Sequence, residues 1–216
     1  MLSDFLQPID PQFLHEFYFP NKEVTEYIHL YQQKHTFENY SVALLGVEDY
    51  RGYIDNKGTE HAANAVRKQL YQYAAFTNGI KLLDVGNIKA GETYVDTLVA
   101  LVETLQELFK HNIITIIIGG DAALASAQFK AHEIFENPLT VTQVAAKVIW
   151  DDSDMDIHKT YLKDFFLSGF LKQYNLVAYQ SYLMQEKQLS FLSSKEHNVL
   201  RVGKIREHIF EAEPYL

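Results

Sequence analysis

The strongest constraint on the fold is a run of β-branched residues that ends in two glycines. All residues from Ile113 to Ile118 are isoleucine or threonine, and the run is too continuously apolar to leave one face in water. Gly119-Gly120-Asp121 follows directly, and an alanine-rich segment comes next. This order predicts a buried strand of a parallel sheet, a tight glycine turn, and a helix with Asp121 as its N-cap.

A second apolar strand is predicted from 144 to 150, and an acidic cluster follows it. In extended chain, Asp152, Asp154 and Asp156 would point to the same side, because side chains alternate along a strand. Three neighbouring carboxylates need a bound cation or full solvation to relieve their repulsion, and oxygen ligands suit Mg, Ca or Mn. A metal site and a solvated acidic loop are therefore both open interpretations. The carboxyl edge of such a sheet is where ligands bind in open α/β folds.

Apolar strands alternate with amphipathic helices along the rest of the chain. This alternation predicts an α/β protein with a three-layer α/β/α arrangement and a mainly parallel sheet. Residues 1–40 are predicted to be a helical lead-in packed on a domain that comprises 41–216. The further predicted strands are 42–47, 80–85, 176–179 and 199–202, and the predicted helices are 59–73, 93–111, 161–171 and 186–192. The predicted buried faces are Ala63, Val66, Leu70 and Tyr73 in the first helix, and Val95, Leu98, Val102, Leu105 and Phe109 in the second.

Composition excludes several classes of protein. The net charge is −9 with only 19 Lys and Arg, so the sequence predicts no nucleic-acid partner and no anionic membrane partner. There is no Cys, which excludes disulfides, thiolate metal sites and a cysteine nucleophile. The chain has no uninterrupted apolar run of about 18 residues and no secretory signal, so a cytoplasmic protein is expected. It also lacks the sequence signatures of a P-loop, an α/β-hydrolase elbow and a zincin.

Five segments, in this order and spacing, resemble motifs of the arginase/agmatinase/formimidoylglutamase (ureohydrolase) family. Its members hydrolyse guanidino or formimidoyl groups with two Mn ions, and the resemblance implies an arginase-like fold. The segments are 43–47, similar to the opening strand; 58–67, similar to Gly-x-x-x-Gly-Pro-x-x-Ile-Arg with Ala62-Ala63 for Gly-Pro; 83–87, similar to Asp-x-Gly-Asp; 119–122, similar to Gly-Gly-Asp-His; and 152–156, similar to Asp-Ala-His-x-Asp.

The departures from the family pattern concern the metal ligands. The family has ligating histidines at the positions of Ala122 and Asp154, and alanine cannot ligate. A later Ser-x-Asp-x-Asp motif, which supplies two more ligands, has no counterpart up to Leu216, so the fold is expected to lack its C-terminal part. The resemblance thus implies Asp152, Asp154 and Asp156 as the metal ligands and 119–121 as site loops, namely Gly119, Gly120 and Asp121. It assigns no catalytic residue.

Two functions are consistent with these observations. The first is an arginase-like domain with a degraded metal site, which is catalytically inactive and binds no Mn. The alternative is a Mn-dependent hydrolase of a guanidino or formimidoyl C–N bond in a small amidine-type substrate, completed by residues beyond 216. An incomplete parallel sheet would expose a strand edge and an apolar face, so a homo-oligomer is also predicted.

Overall fold

The computed structural model describes residues 2–15, 27–32, 36–52, 54–72, 80–148, 162, 165–194 and 197–207. They form two compact units, Met1–Ile134 and Phe135–Leu216, which are considered separately. Both units contain strands joined mainly in parallel, so the predicted α/β class is confirmed. In the described ranges, no helix is long and apolar enough to cross a membrane. The division of the chain at residue 40 stays a prediction.

The first unit is built on a five-stranded sheet, whose strands are β1 (Leu6–Gln7), β2 (Ile28–Leu30), β3 (Val42–Val47), β4 (Leu82–Ile88) and β5 (Ile114–Ile118). Their order in the sheet is β1-β4-β3-β5, and β2 also pairs with β4. Only the β1–β4 pairing is antiparallel among these described strands. The lead-in is not purely helical as predicted, because β1 and β2 both pair with β4 and so belong to the sheet.

The same unit contains four described α-helices, which are α1 (Pro11–His15), α2 (Ala62–Leu70), α3 (Tyr94–Lys110) and α4 (Leu124–Glu133). Helix α3 begins with the capping box expected from the sequence, since the Thr93 hydroxyl accepts from the Asp96 N–H at 3.2 Å and the Asp96 carboxylate accepts from the Thr93 N–H at 2.8 Å. Most of the predicted stripe is confirmed, since Leu105 is buried in the main core and Leu98, Val102 and Phe109 are partly buried against it. Val95 is exposed, and the prediction missed Ala100, Leu101 and Leu108, which are buried in the same core.

Strand β5 is parallel to β3, as its sequence predicts, but it is not buried on both faces. It lies at the end of the sheet order, and Ile114 and Ile116 are 69% and 46% exposed. Ile117, on the opposite face, packs against the main core. Among the described strands, this apolar run therefore forms an edge strand, and one of its faces is exposed at Ile114 and Ile116.

The second unit contains a three-stranded parallel sheet in the order β6-β7-β8. The strand predicted at 144–150 is displaced, because β6 already ends at Val144, and 145–148 are not strand. The predicted strands at 176–179 and 199–202 correspond to parts of β7 and β8. The elements are β6 (Leu139–Val144), β7 (Leu171–Tyr179), α5 (Glu186–Ser194), β8 (Asn198–Arg201) and α6 (Val202–Glu207).

Candidate functional site at the carboxyl end of the first sheet

The glycine turn after β5 is tightly packed on the end of β3. Gly119 and Gly120 have φ values of 98° and 70°, which strain any residue with a Cβ atom. A Cβ atom at Gly119 would also lie 2.5 Å from the carbonyl oxygen of Val47. The two glycines thus serve the close approach of this turn to the sheet.

Asp121 is held by contacts within the protein. The Tyr94 hydroxyl lies 3.0 and 3.1 Å from its two carboxylate oxygens, and the Ala123 N–H donates to Oδ1 at 2.7 Å. Burial, followed by the charge of Asp121, raises the pKa of Tyr94, so the phenol keeps its proton and remains a donor. Asp121 is not the N-cap as predicted. The N-cap is Ala123, and Asp121 stabilises the turn before α4.

Asp49 forms a second polar cluster just beyond β3. Arg51 donates from Nε to Oδ1 at 2.9 Å and from Nη2 to Oδ2 at 2.7 Å, and the Thr97 hydroxyl donates to Oδ2 at 2.6 Å. Arg51 also reaches the carbonyl oxygens of Gly91 and Glu92, both at 2.8 Å. This cluster joins the loop after β3 to the loop that precedes α3.

Arg67 is the centre of a third cluster, which lies between α2 and β4. Its side chain is completely buried and binds Asp84 bidentately, from Nε at 2.7 Å and from Nη2 at 3.0 Å. Its other hydrogen bonds go to the side-chain oxygens of Asn64 and Asn87 and to the carbonyl oxygen of Gly86. All five guanidinium donors therefore have acceptors within the fold. The Tyr71 hydroxyl donates to the same Asp84 carboxylate.

Glu48 directly follows β3 and stands beside the Arg67 cluster. Its Oε1 atom is buried and has no hydrogen-bond partner among the described residues. Burial raises the pKa of Glu48, although the charges of Arg67 and His61 act in the opposite direction. The site thus contains one buried carboxyl oxygen without a hydrogen-bond partner among the described residues.

The sequence interpretation missed the Arg67 cluster because it read α2 as an apolar stripe. It predicted Val66 and Leu70 on the buried face, whereas Val66 is 44% exposed and Arg67 is buried. A signal was present, since Arg67 is one helical turn from Ala63, which was placed on that face correctly. An arginine there requires a buried carboxylate, and Asp84 is the one acidic residue of the predicted strand 80–85.

A model of the Arginase family matches residues 40–200 of this sequence. The chain belongs to the arginase family. This confirms the resemblance drawn from the five motifs. A comparison with curated protein sequences gives no match.

Solved structures of other arginase-family proteins share the fold. Formimidoylglutamase from Bacillus subtilis has a TM-score of 0.78 at 16% identity, over 92% of this chain and 67% of that chain. Formiminoglutamase from Trypanosoma cruzi, in a structure with Mn²⁺, has a TM-score of 0.66 at 18% identity, over 81% and 64% respectively. A putative agmatinase from Clostridium difficile has a TM-score of 0.65 at 15% identity, over 81% and 67%. The chain thus spans less than two thirds of the trypanosomal protein.

The described part of this arginase-family chain does not fit the metal centre that the resemblance implies. Ala122 stands where the family motif has a ligating histidine, and its methyl group offers no ligating atom. Within the described ranges, no group of three or more His, Asp or Glu residues is arranged to hold a metal ion. The predicted ligands Asp152, Asp154 and Asp156 lie outside the described residues, and their role stays a prediction.

Proposed function

We propose that this chain is an arginase-family domain without a working metal centre, which acts as a binding or assembly module. The observation that carries the proposal is Ala122. A methyl group stands there in place of a ligating imidazole, and it has no atom that could bind a metal ion in any orientation. Asp121 beside it is already bonded to Tyr94 and Ala123. Family membership alone does not assign an activity, because one fold supports many functions.

The polar groups at this edge of the sheet support the same proposal. Asp49 and Asp84 each accept hydrogen bonds from an arginine and from a hydroxyl group. These carboxylates are therefore engaged in holding strands, helices and loops together. A metal-activated hydrolase instead needs carboxylate or imidazole ligands that are available to the cation.

The second candidate is a Mn-dependent hydrolase of a guanidino or formimidoyl C–N bond. It is favoured by the fold shared with the trypanosomal formiminoglutamase that was solved with Mn²⁺ and by the acidic segment from Asp152 to Asp156. This candidate requires ligands beyond those described here, including residues after 216. Its substrate would be a small linear amidine.

An activity assay separates the two candidates. The protein, preincubated with Mn²⁺, is offered formimidoylglutamate, agmatine and arginine, and release of ammonia, formamide or urea is measured. We expect no turnover above buffer, and we expect Ala122→His alone to remain inactive because one ligand does not restore the site. Saturable turnover that is abolished by Asp152→Ala together with Asp156→Ala would establish the hydrolase and reject the first proposal.

We further propose that the chain self-associates through the β5 edge. The exposed Ile114 and Ile116 side chains support this, as does the position of β5 at the end of the order of the described strands, because edge strands add further strands readily. Light scattering after size exclusion should show a species larger than the monomer, and Ile116→Lys should shift it toward monomer. A monomer at high concentration, or an assembly unaffected by Ile116→Lys and by Ile114→Lys, would reject this interface.

A further inference from the structure

Glu48 lies at a tightly packed joint between β3 and the first turn of α2. Gly46 marks the closeness of this joint, since a Cβ atom there would lie 1.9 Å from Asn87 Oδ1 and 2.8 Å from Ala63 Cβ. Gly119 approaches the same turn, and its added Cβ would be 3.8 Å from the Ala63 nitrogen. The end of β3 and the first turn of α2 are therefore in close contact at this joint.

The neighbouring cation cannot satisfy Glu48. Arg67 already uses all its guanidinium donors on Asp84, Asn64, Asn87 and Gly86, and the charge of Asp84 balances its own. The other ionisable group that acts on Glu48 is His61, which is exposed at the end of the turn before α2. Main-chain and side-chain hydrogen bonds from Asn64 and Asn87 favour the ionised form, but burial acts more strongly against it.

We propose that Glu48 is a proton-controlled latch, in which the neutral acid permits close packing of α2 on β3 and ionisation loosens the first turn of the helix. An ionised Oε1 atom without a donor must regain contact with water, and movement of the turn away from β3 would give it that contact. The latch lies at the carboxyl edge of the sheet, where α/β proteins bind ligands, so a change in pH would reshape that surface.

The direction of the effect follows from the environment. The pKa of Glu48 is raised in the folded protein above the ordinary value of about 4.3. The packing that depends on the neutral acid is therefore fully present below the ordinary value and is lost as pH rises through the higher folded value. The joint should be closed in acid and looser toward neutral pH.

Carbon-13 NMR of the Glu48 carboxyl group in the wild-type chain tests the latch. We expect the Glu48 midpoint to lie above the ordinary glutamate value of about 4.3, and we expect the amide signals of Ala62, Ala63 and Asn64 to follow the Glu48 midpoint. A Glu48 midpoint at or below about 4.3 would overturn the proposal. So would α2 amides that do not respond to Glu48 ionisation.

Matched variants assign the response to this side chain. Glu48→Gln should abolish the pH-dependent change in the α2 amide signals, whereas Glu103→Gln and His61→Asn should retain it. At pH values above the Glu48 midpoint, amide exchange in the first turn of α2 should be faster in the wild type than in Glu48→Gln. The ratio of the two exchange rates should be about tenfold for each pH unit between the Glu48 midpoint of the closed joint and that of the open joint. Glu48→Leu serves if Glu48→Gln does not fold. A pH-dependent change that persists in the folded Glu48 variant would reject the assignment.

Discussion

Two arginine–aspartate pairs in the first unit have the same bidentate chemistry but different exposure. The Arg67 and Asp84 side chains are both 0% exposed, whereas Arg51 is 37% exposed and its partner Asp49 is 2% exposed. The first pair fastens helix α2 to β4, and the second ties two loops together. Both pairs therefore hold elements of the fold together, and we expect the more deeply buried pair to contribute more to stability.

The largest effect should come from breaking the completely buried pair. Arg67→Met leaves the Asp84 carboxylate buried without its cation, and we expect the free energy of unfolding to fall by about 3–5 kcal/mol. Urea unfolding followed by circular dichroism measures the loss. The double variant Arg67→Met with Asp84→Leu should recover much of it, because it removes the unpaired charge. A loss below about 1 kcal/mol for Arg67→Met would contradict the role given to burial.

A smaller effect is expected at the half-exposed pair. In Arg51→Ala, Asp49 keeps its bond from Thr97 and water can approach, so the loss should be about 1–2 kcal/mol. Burial raises the pKa of Asp49, but hydrogen bonds from Arg51 and Thr97 outweigh it and leave the pKa lowered.

The lowered pKa also predicts how the Arg51 effect depends on pH. Stability from ionised Asp49 is present above its ordinary value of about 3.9 and is lost as pH falls through the lower folded value. Urea unfolding at a series of pH values should therefore show that the difference in free energy of unfolding between wild type and Arg51→Ala becomes smaller below about pH 4. A constant difference across this range would show that packing, and not the charge pair, stabilises this loop.

The capping box of α3 extends the comparison to an exposed hydrogen-bonding site. Thr93→Ala removes the side-chain acceptor for the Asp96 N–H and should lower stability by about 1 kcal/mol. Thr93→Ser keeps the hydroxyl and serves as the matched control. Thermal unfolding that shows equal losses for both variants would indicate a packing role for the threonine methyl group instead.

The smallest effect should be at the exposed pair near the end of α3. Lys110 Nζ lies 3.2 Å from Glu107 Oε2, and the two side chains are 57% and 40% exposed, respectively. Glu107→Gln should change stability by less than about 0.5 kcal/mol, because solvent screens exposed pairs. A loss as large as that of Arg51→Ala would break the proposed dependence on burial.

The sequence predicted best those features that depend on local pattern. The strand at Val42–Val47 and the capping box at Thr93 follow directly from apolar runs and cap residues. Features that depend on distant partners were misplaced or missed: β2 exists because it pairs with β4, and the exposure of β5 depends on its place in the sheet.

The candidate site shows the same limit. The motif comparison located the glycine turn and the alanine at the ligand position. It could not show that Tyr94 would bind Asp121 or that Arg67 would bind Asp84, because these partners are separated by 27 and 17 positions along the chain. Nor could it show that Glu48 would be left with an unpartnered oxygen, since that depends on how Arg67 distributes its donors.

Calorimetric titration of the metal-stripped protein with Mn²⁺ tests whether this arginase-family chain has a working metal centre. We expect no saturable heat, and no difference between the wild type and Asp152→Ala combined with Asp156→Ala. Stoichiometric binding of Mn²⁺ by the wild type, abolished in the double variant, would contradict the proposed loss of the metal centre and make the hydrolase the leading function.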